Sequence, residues 1–177
     1  MIQGSKKYTL KEIKSKSPKS LLNLINRAKK VLKDDPVMKK AFKDHKVDID
    51  FIDLIPVKFG DIEVSATTSH GIVTLNYKLL VDGDFFKDYG YLIHEFVHVL
   101  QQCFGEKPTQ GADDGEYLEN PAEQEGFQYQ IEYIDNEFGS NKAEDYVDQL
   151  LDHHEIKDSK DRKKKTEQLM SRVLFLD

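Results

Sequence analysis

HEFVH, residues 94–98, lies inside the apolar segment YLIHEFVHVLQQ (91–102). Leu92, Ile93, Phe96, Val97, Val99 and Leu100 surround it, too many apolar residues for one exposed stripe. The segment therefore reads as a helix buried on most sides. On a helix, His94 and His98 are four positions apart and project from one face, one turn from each other. Two imidazoles so placed reach one zinc ion at about 2.0–2.1 Å. Glu95 lies about 100° around the helix from His94. It is near the metal without being forced to bind it, and there it can take a proton from a water that the metal has acidified.

A catalytic zinc takes three protein ligands and leaves a position for water. A glycine at 101 and a histidine at 104 would supply a third imidazole, but the chain has Gln101 and Phe104 there. A carboxylate from a later helix is the other solution. YLENPAEQEGFQYQ (117–130) offers Glu119, Glu123 and Glu125. Asn120 and Pro121 mark a helix start, a capping side chain followed by proline at the first position. Glu123 then falls in the first turn. Gly126 shares its face and removes a side chain where this helix packs on the HEFVH helix. Glu125 is about 200° from Glu123 and points away. Glu119 precedes the cap, so periodicity does not give its direction, and it is the rival. Glu123 is the expected third ligand, for one zinc per chain. Of Gln101 and Gln102, at least one is expected to face solvent.

Upstream, Ser17-Pro18 opens an amphipathic helix over about 18–33, and Asp35-Pro36 opens a shorter one through Met38 and Phe42. Val47, Ile49 and Phe51, then VKF (57–59), IEV (62–64) and IVTLNY (72–77), read as three or four strands of a small antiparallel sheet. The last of these precedes the motif and offers a sheet edge where an extended peptide could bind. Asp84 is expected to cap the HEFVH helix, which stops at Gly105. After a helix over 121–138, Ser140 and then Asp158 or Ser159 open two more, a helical extension over about 140–177. Residues 1–16 read as a flexible basic arm and 17–177 as one domain. Helices, then sheet, then helices make the class α+β.

Composition narrows the function classes. The chain has 177 residues, 38% hydrophobic and 33% charged, with a net charge of −6. That charge gives no general reason to bind nucleic acid or an anionic membrane. No apolar run approaches the roughly 18 residues that span a bilayer. The first twenty residues carry lysines and no apolar core, so no secretory leader is expected. Cys103 is the only cysteine, which excludes an intrachain disulfide and a Cys-rich metal site. A cytoplasmic location is the expectation.

HEFVHVLQQ followed by NPAEQEGF resembles the zincin metallopeptidases of the gluzincin type, in particular small phage- and bacteria-associated members. The resemblance covers residues 66–138. It implies zinc held by His94, His98 and Glu123, Glu95 as general base, and a sheet-plus-helices fold. The departure is Gly126, where alanine would be expected. The activity so implied is hydrolysis of peptide bonds in a peptide or protein substrate. The competing reading is a protein-binding module of the same fold whose metal site is structural or degenerate. Other chemistry-bearing residues are weaker candidates. His153 and His154 are adjacent and point about 100° apart on a helix, so one ion does not easily take both. His70 before Gly71 reads as a turn residue, Tyr117 as a packed loop aromatic, and Cys103 as a small core hydrophobe. Lys163, Lys164 and Lys165 read as a solvated face.

Overall fold

The computed structural model describes residues 9–82, 85, 89–105 and 117–174. The arm expected over 1–16 is in part a helix, α1 (Leu10–Lys14), started by a capping box between Thr9 and Glu12. Ile13 is fully buried, a contact worth roughly 1.5–3 kcal/mol, and it ties the segment to the body of the protein. Residues 1–8 lie outside the described residues. Then come α2 (Pro18–Asp34) and α3 (Pro36–Asp44), separated by Asp35 alone. Proline follows Asp35 and keeps it extended, at φ −66° and ψ 132°. Its carboxylate caps α3 by accepting from the N–H groups of Val37 and Met38.

The alternating stretch Val47, Ile49, Phe51 is not a strand. Aspartates hold its polar positions, and aspartate competes for backbone N–H groups more readily than it pairs in a sheet. Asp48 accepts from Asp50 N–H, and Ile49–Leu54 winds into a 3₁₀ helix that buries Ile52. Three strands follow: β1 (Val57–Gly60), β2 (Ala66–Ser69) and β3 (Ile72–Asn76).

The sheet is mixed, not antiparallel. Its order is β1-β3-β2, with β1 parallel and β2 antiparallel to β3. β2 and β3 form a hairpin through His70 and Gly71, at φ 51° and 73°, values that suit a two-residue turn. The segment 61–65 then has to cross the end of β3 to link β1 with β2. Asn76, at that end and only 5% exposed, donates to the carbonyls of Ile62 at 2.5 Å and Val64 at 3.0 Å. The expected IEV strand is thus a loop wrapped over Asn76, and ATTS at 66–69 pairs in its place. IVTLNY becomes the central strand. The sheet edge beside the HEFVH helix is β2.

α4 (Lys78–Val81) leads to α5 (Gly90–Phe104), which carries HEFVH and starts later than expected; Asp84 lies outside the described residues. Every residue of α5 from Leu92 to Gln101 is buried. β2, β3 and α3 pack against it, and so does α6 (Pro121–Phe138). α7 (Ser140–His153), α8 (Ser159–Leu169) and α9 (Ser171–Leu174) cover α6 in turn. Asp158 is the residue that caps α8. The expected solvated face of this helix holds an exception: Lys165 is buried, donating to Leu118 O at 3.1 Å and pairing with Glu119. On α9, Arg172 lies over the Tyr129 ring, 3.6 Å from its centre. The class is α+β, mostly helical around a small sheet. Among the described residues no helix is long and apolar enough to cross a membrane.

Candidate metal centre

α5 and α6 bring His94, His98 and Glu123 together. His94 Nε2 and His98 Nε2 are 2.9 Å apart, and each is 3.2 Å from Glu123 Oε2. Three ligands at about 2.0–2.1 Å from a tetrahedral ion stand about 3.3–3.4 Å from one another. The observed triangle is close to that, and the group could hold a metal ion. All three side chains are buried. Burial pushes the Glu123 carboxyl up, but hydrogen bonds from His94, His98 and Tyr117 outweigh it and hold Glu123 far below the usual carboxylate range. Burial likewise pushes His98 down, and its bonds to Glu123 and Gln101 outweigh that and raise it. The Glu123 carboxylate is thus held ionised, as a metal ligand must be.

The two histidines are braced differently. His98 Nδ1 meets Gln101 Oε1 at 2.7 Å. The Gln101 amide is oriented by its other end: Nε2 donates to Ala122 O at 3.0 Å and to Glu125 Oε2 at 2.8 Å. Its oxygen therefore faces His98, whose Nδ1 carries a proton, and Nε2 is the nitrogen that would ligate a bound metal. Glu125 Oε1 in turn stands 3.3 Å from His45 Nε2. His94 Nδ1 has no hydrogen-bond partner among the described residues. Its ring is held by contact, against Phe127 with centroids 4.5 Å apart and against the bare Cα of Gly126. A Cβ on Gly126 would lie 2.9 Å from His94 Cε1 and 3.0 Å from Nδ1. The absence of a side chain at Gly126 therefore leaves room for this imidazole.

Glu95 is buried beside the triangle. The Thr68 hydroxyl, on β2, reaches Glu95 Oε2 at 2.6 Å, so the sheet aims this carboxylate. Gln102 also reaches the sheet: its Oε1 accepts from Gly71 N–H at 2.9 Å and its Nε2 donates to Thr68 O at 3.2 Å. Both glutamines are thus engaged, against the expectation that one faces solvent. The rival carboxylates are occupied elsewhere, Glu119 with Lys165 and Glu125 with Gln101 and His45.

Tyr117 is more than a packed loop aromatic, since it interacts with Glu123; burial first, and then that carboxylate, push its pKa well up. Its ring stacks on His154, with centroids 5.2 Å apart. His153 and His154 stand outside the metal-competent group. Cys103 is exposed, not a core residue, and its Sγ sits where a side chain on Gly71 would go. Sequence reasoning missed Thr68, Tyr146 and Gln130. Gln130 had a signal, since with Glu123 and Gly126 it keeps the spacing i, i+3, i+7 of one helix face. Thr68 had none, because its approach depends on a strand that was not foreseen.

No protein-family model, no curated protein and no solved structure matches the chain.

Proposed function

We propose that the chain is a zinc-dependent peptidase of the zincin class, with His94, His98 and Glu123 holding one zinc and Glu95 as general base. The observation that carries this reading is the position of Glu95. It is buried on the same helix as the two histidines and lines the same cavity as His94. A structural zinc site is closed by four ligands and has no use for a base. Two imidazoles and one carboxylate are also a donor set that suits zinc.

A bound zinc supplies Lewis acidity, bringing the pKa of a water toward about 7 and polarising a carbonyl. The residues do the rest. Glu95 takes a proton from the attacking water on the oxygen that Thr68 does not hold, and gives it to the leaving amine. Positioned proton transfer of this kind is worth about 10²–10⁴ in rate. Thr68 keeps the carboxylate aimed while it changes charge. β2, the edge strand, runs beside the cavity, where Ser65 and Ala66 contribute to the lining. An extended peptide there would gain backbone hydrogen bonds. The substrate is a peptide or protein, and a cytoplasmic setting belongs to the same proposal.

Glu95→Gln should keep zinc and fold while turnover of a peptide library falls at least a hundredfold. Loss of zinc in that variant would make Glu95 a ligand and overturn the assignment. One observation favours a second reading, a protein-binding module with a structural metal. Thr68 already holds Glu95 Oε2 at 2.6 Å, as it would hold a carboxylate with only a structural role. A zinc-loaded wild-type chain that cleaves no peptide decides for that reading.

A further inference from the structure

Beside His94 and Glu95 lies a cavity of about 280 Å³. Small-molecule pockets start at about 300 Å³, so it has room for one side chain rather than a whole ligand. Tyr91, Tyr117, Phe127 and Tyr146 wall it, and Gln130 lines it with them. Gln130 is only 7% exposed, no other described residue hydrogen-bonds its amide, and what exposure it keeps is on the cavity it lines. Such a group facing a cavity is matched by whatever enters, water or ligand. Its place on α6, seven residues after Glu123 and four after Gly126, puts it on the face turned to the metal centre.

We infer that this cavity is a side-chain subsite that selects a tyrosine-like group, an aromatic ring with a hydrogen-bonding tip, and that Gln130 reads the tip. The inference rests on the peptidase reading and adds its substrate class. The walls suit a flat ring, which packs edge-on or offset against other rings. A phenol hydroxyl both donates and accepts, and a glutamine amide offers one group of each kind. Phenylalanine would fit the walls and leave the amide unmatched. A glutamine side chain would match the amide and leave the walls poorly filled. Sites that enclose a polar partner fully can discriminate 10⁴–10⁵-fold against an analogue lacking it. This cavity is open to water, which can serve the amide when phenylalanine binds. The expected preference is therefore about tenfold.

The test is binding without turnover. Blocked pentapeptides Ala-Ala-X-Ala-Ala, with X as Tyr, Phe, Gln or Leu, are titrated by NMR against the full chain carrying Glu95→Gln. The Tyr peptide should bind about tenfold tighter than the Phe peptide, and both tighter than Gln or Leu. Adding Gln130→Leu should bring the Tyr-to-Phe ratio to one or below. Gln130→Met repeats the measurement should the leucine variant not fold. Equal Tyr and Phe affinities, an unchanged ratio in either variant, a preference for Gln, or binding of none of the peptides overturns the inference. Its failure is separable from that of the peptidase reading. Cleavage without Tyr preference sinks the subsite alone, and Tyr preference without cleavage sinks the peptidase alone.

Discussion

Around His98 the chain lays down a line of polar groups, Gln101, Glu125 and His45. Around His94, one turn away on the same helix, it lays down carbon, the Phe127 ring and the bare backbone of Gly126. Both imidazoles end with Nε2 beside the same Glu123 oxygen. The difference shows two ways of holding a buried imidazole. A hydrogen-bonded brace fixes which nitrogen carries the proton, so it is sensitive to chemistry. A contact brace fixes where the ring lies, so it is sensitive to volume.

Glu123 belongs to both sides, and its loss should have the largest effect. Glu123→Ala should raise the zinc dissociation constant by well over 100-fold, more than changes behind the ligands produce. Glu119→Ala should leave it near wild type, since Glu119 pairs with Lys165. Competition against a chelator measures all of these variants. A large effect at Glu119 with a small one at Glu123 would remove α6 from the site.

Gln101→Leu separates the two sides. It takes the acceptor from His98 Nδ1 and the donor from Glu125, and should weaken zinc binding about 10–100-fold. Glu125→Ala should give a smaller loss in the same direction, because Gln101 keeps its bond to Ala122. Gly126→Ala probes the other brace. Crowding His94 should destabilise the chain by about 1–3 kcal/mol, offset in part by the roughly 1 kcal/mol that alanine gains over glycine in a helix. Thermal unfolding should show that loss, while zinc affinity falls less than for Gln101→Leu. The reverse order of affinities would break the comparison. The smallest effect is expected at the far end of the line, where His45→Ala should change zinc affinity by less than tenfold.

How much of this was legible depended on whether a feature was local. The α5–α6 pairing could be read from spacing, because four-residue recurrence, a capping asparagine and a glycine three residues after a glutamate are helical facts. Glu123 and Gly126 share a face wherever the rest of the chain goes. The region from 45 to 76 resisted, since strand order follows from groups distant in sequence. Asn76 holds Ile62 and Val64, and nothing in IEV itself reveals that clasp. Aspartates in an alternating stretch misled in the same way, since Val47, Ile49 and Phe51 carry the period of a strand while Asp48 starts a 3₁₀ helix. The partners of Glu95 and Lys165 were hidden for the same reason. Thr68 and Leu118 reach them only through the tertiary fold.

We propose that the triangle of His94, His98 and Glu123 is a zinc site. Elemental analysis of the purified chain tests it most directly. One zinc per wild-type chain is expected, and none in His94→Ala or His98→Ala. Equal zinc in the wild type and in His98→Ala would contradict it.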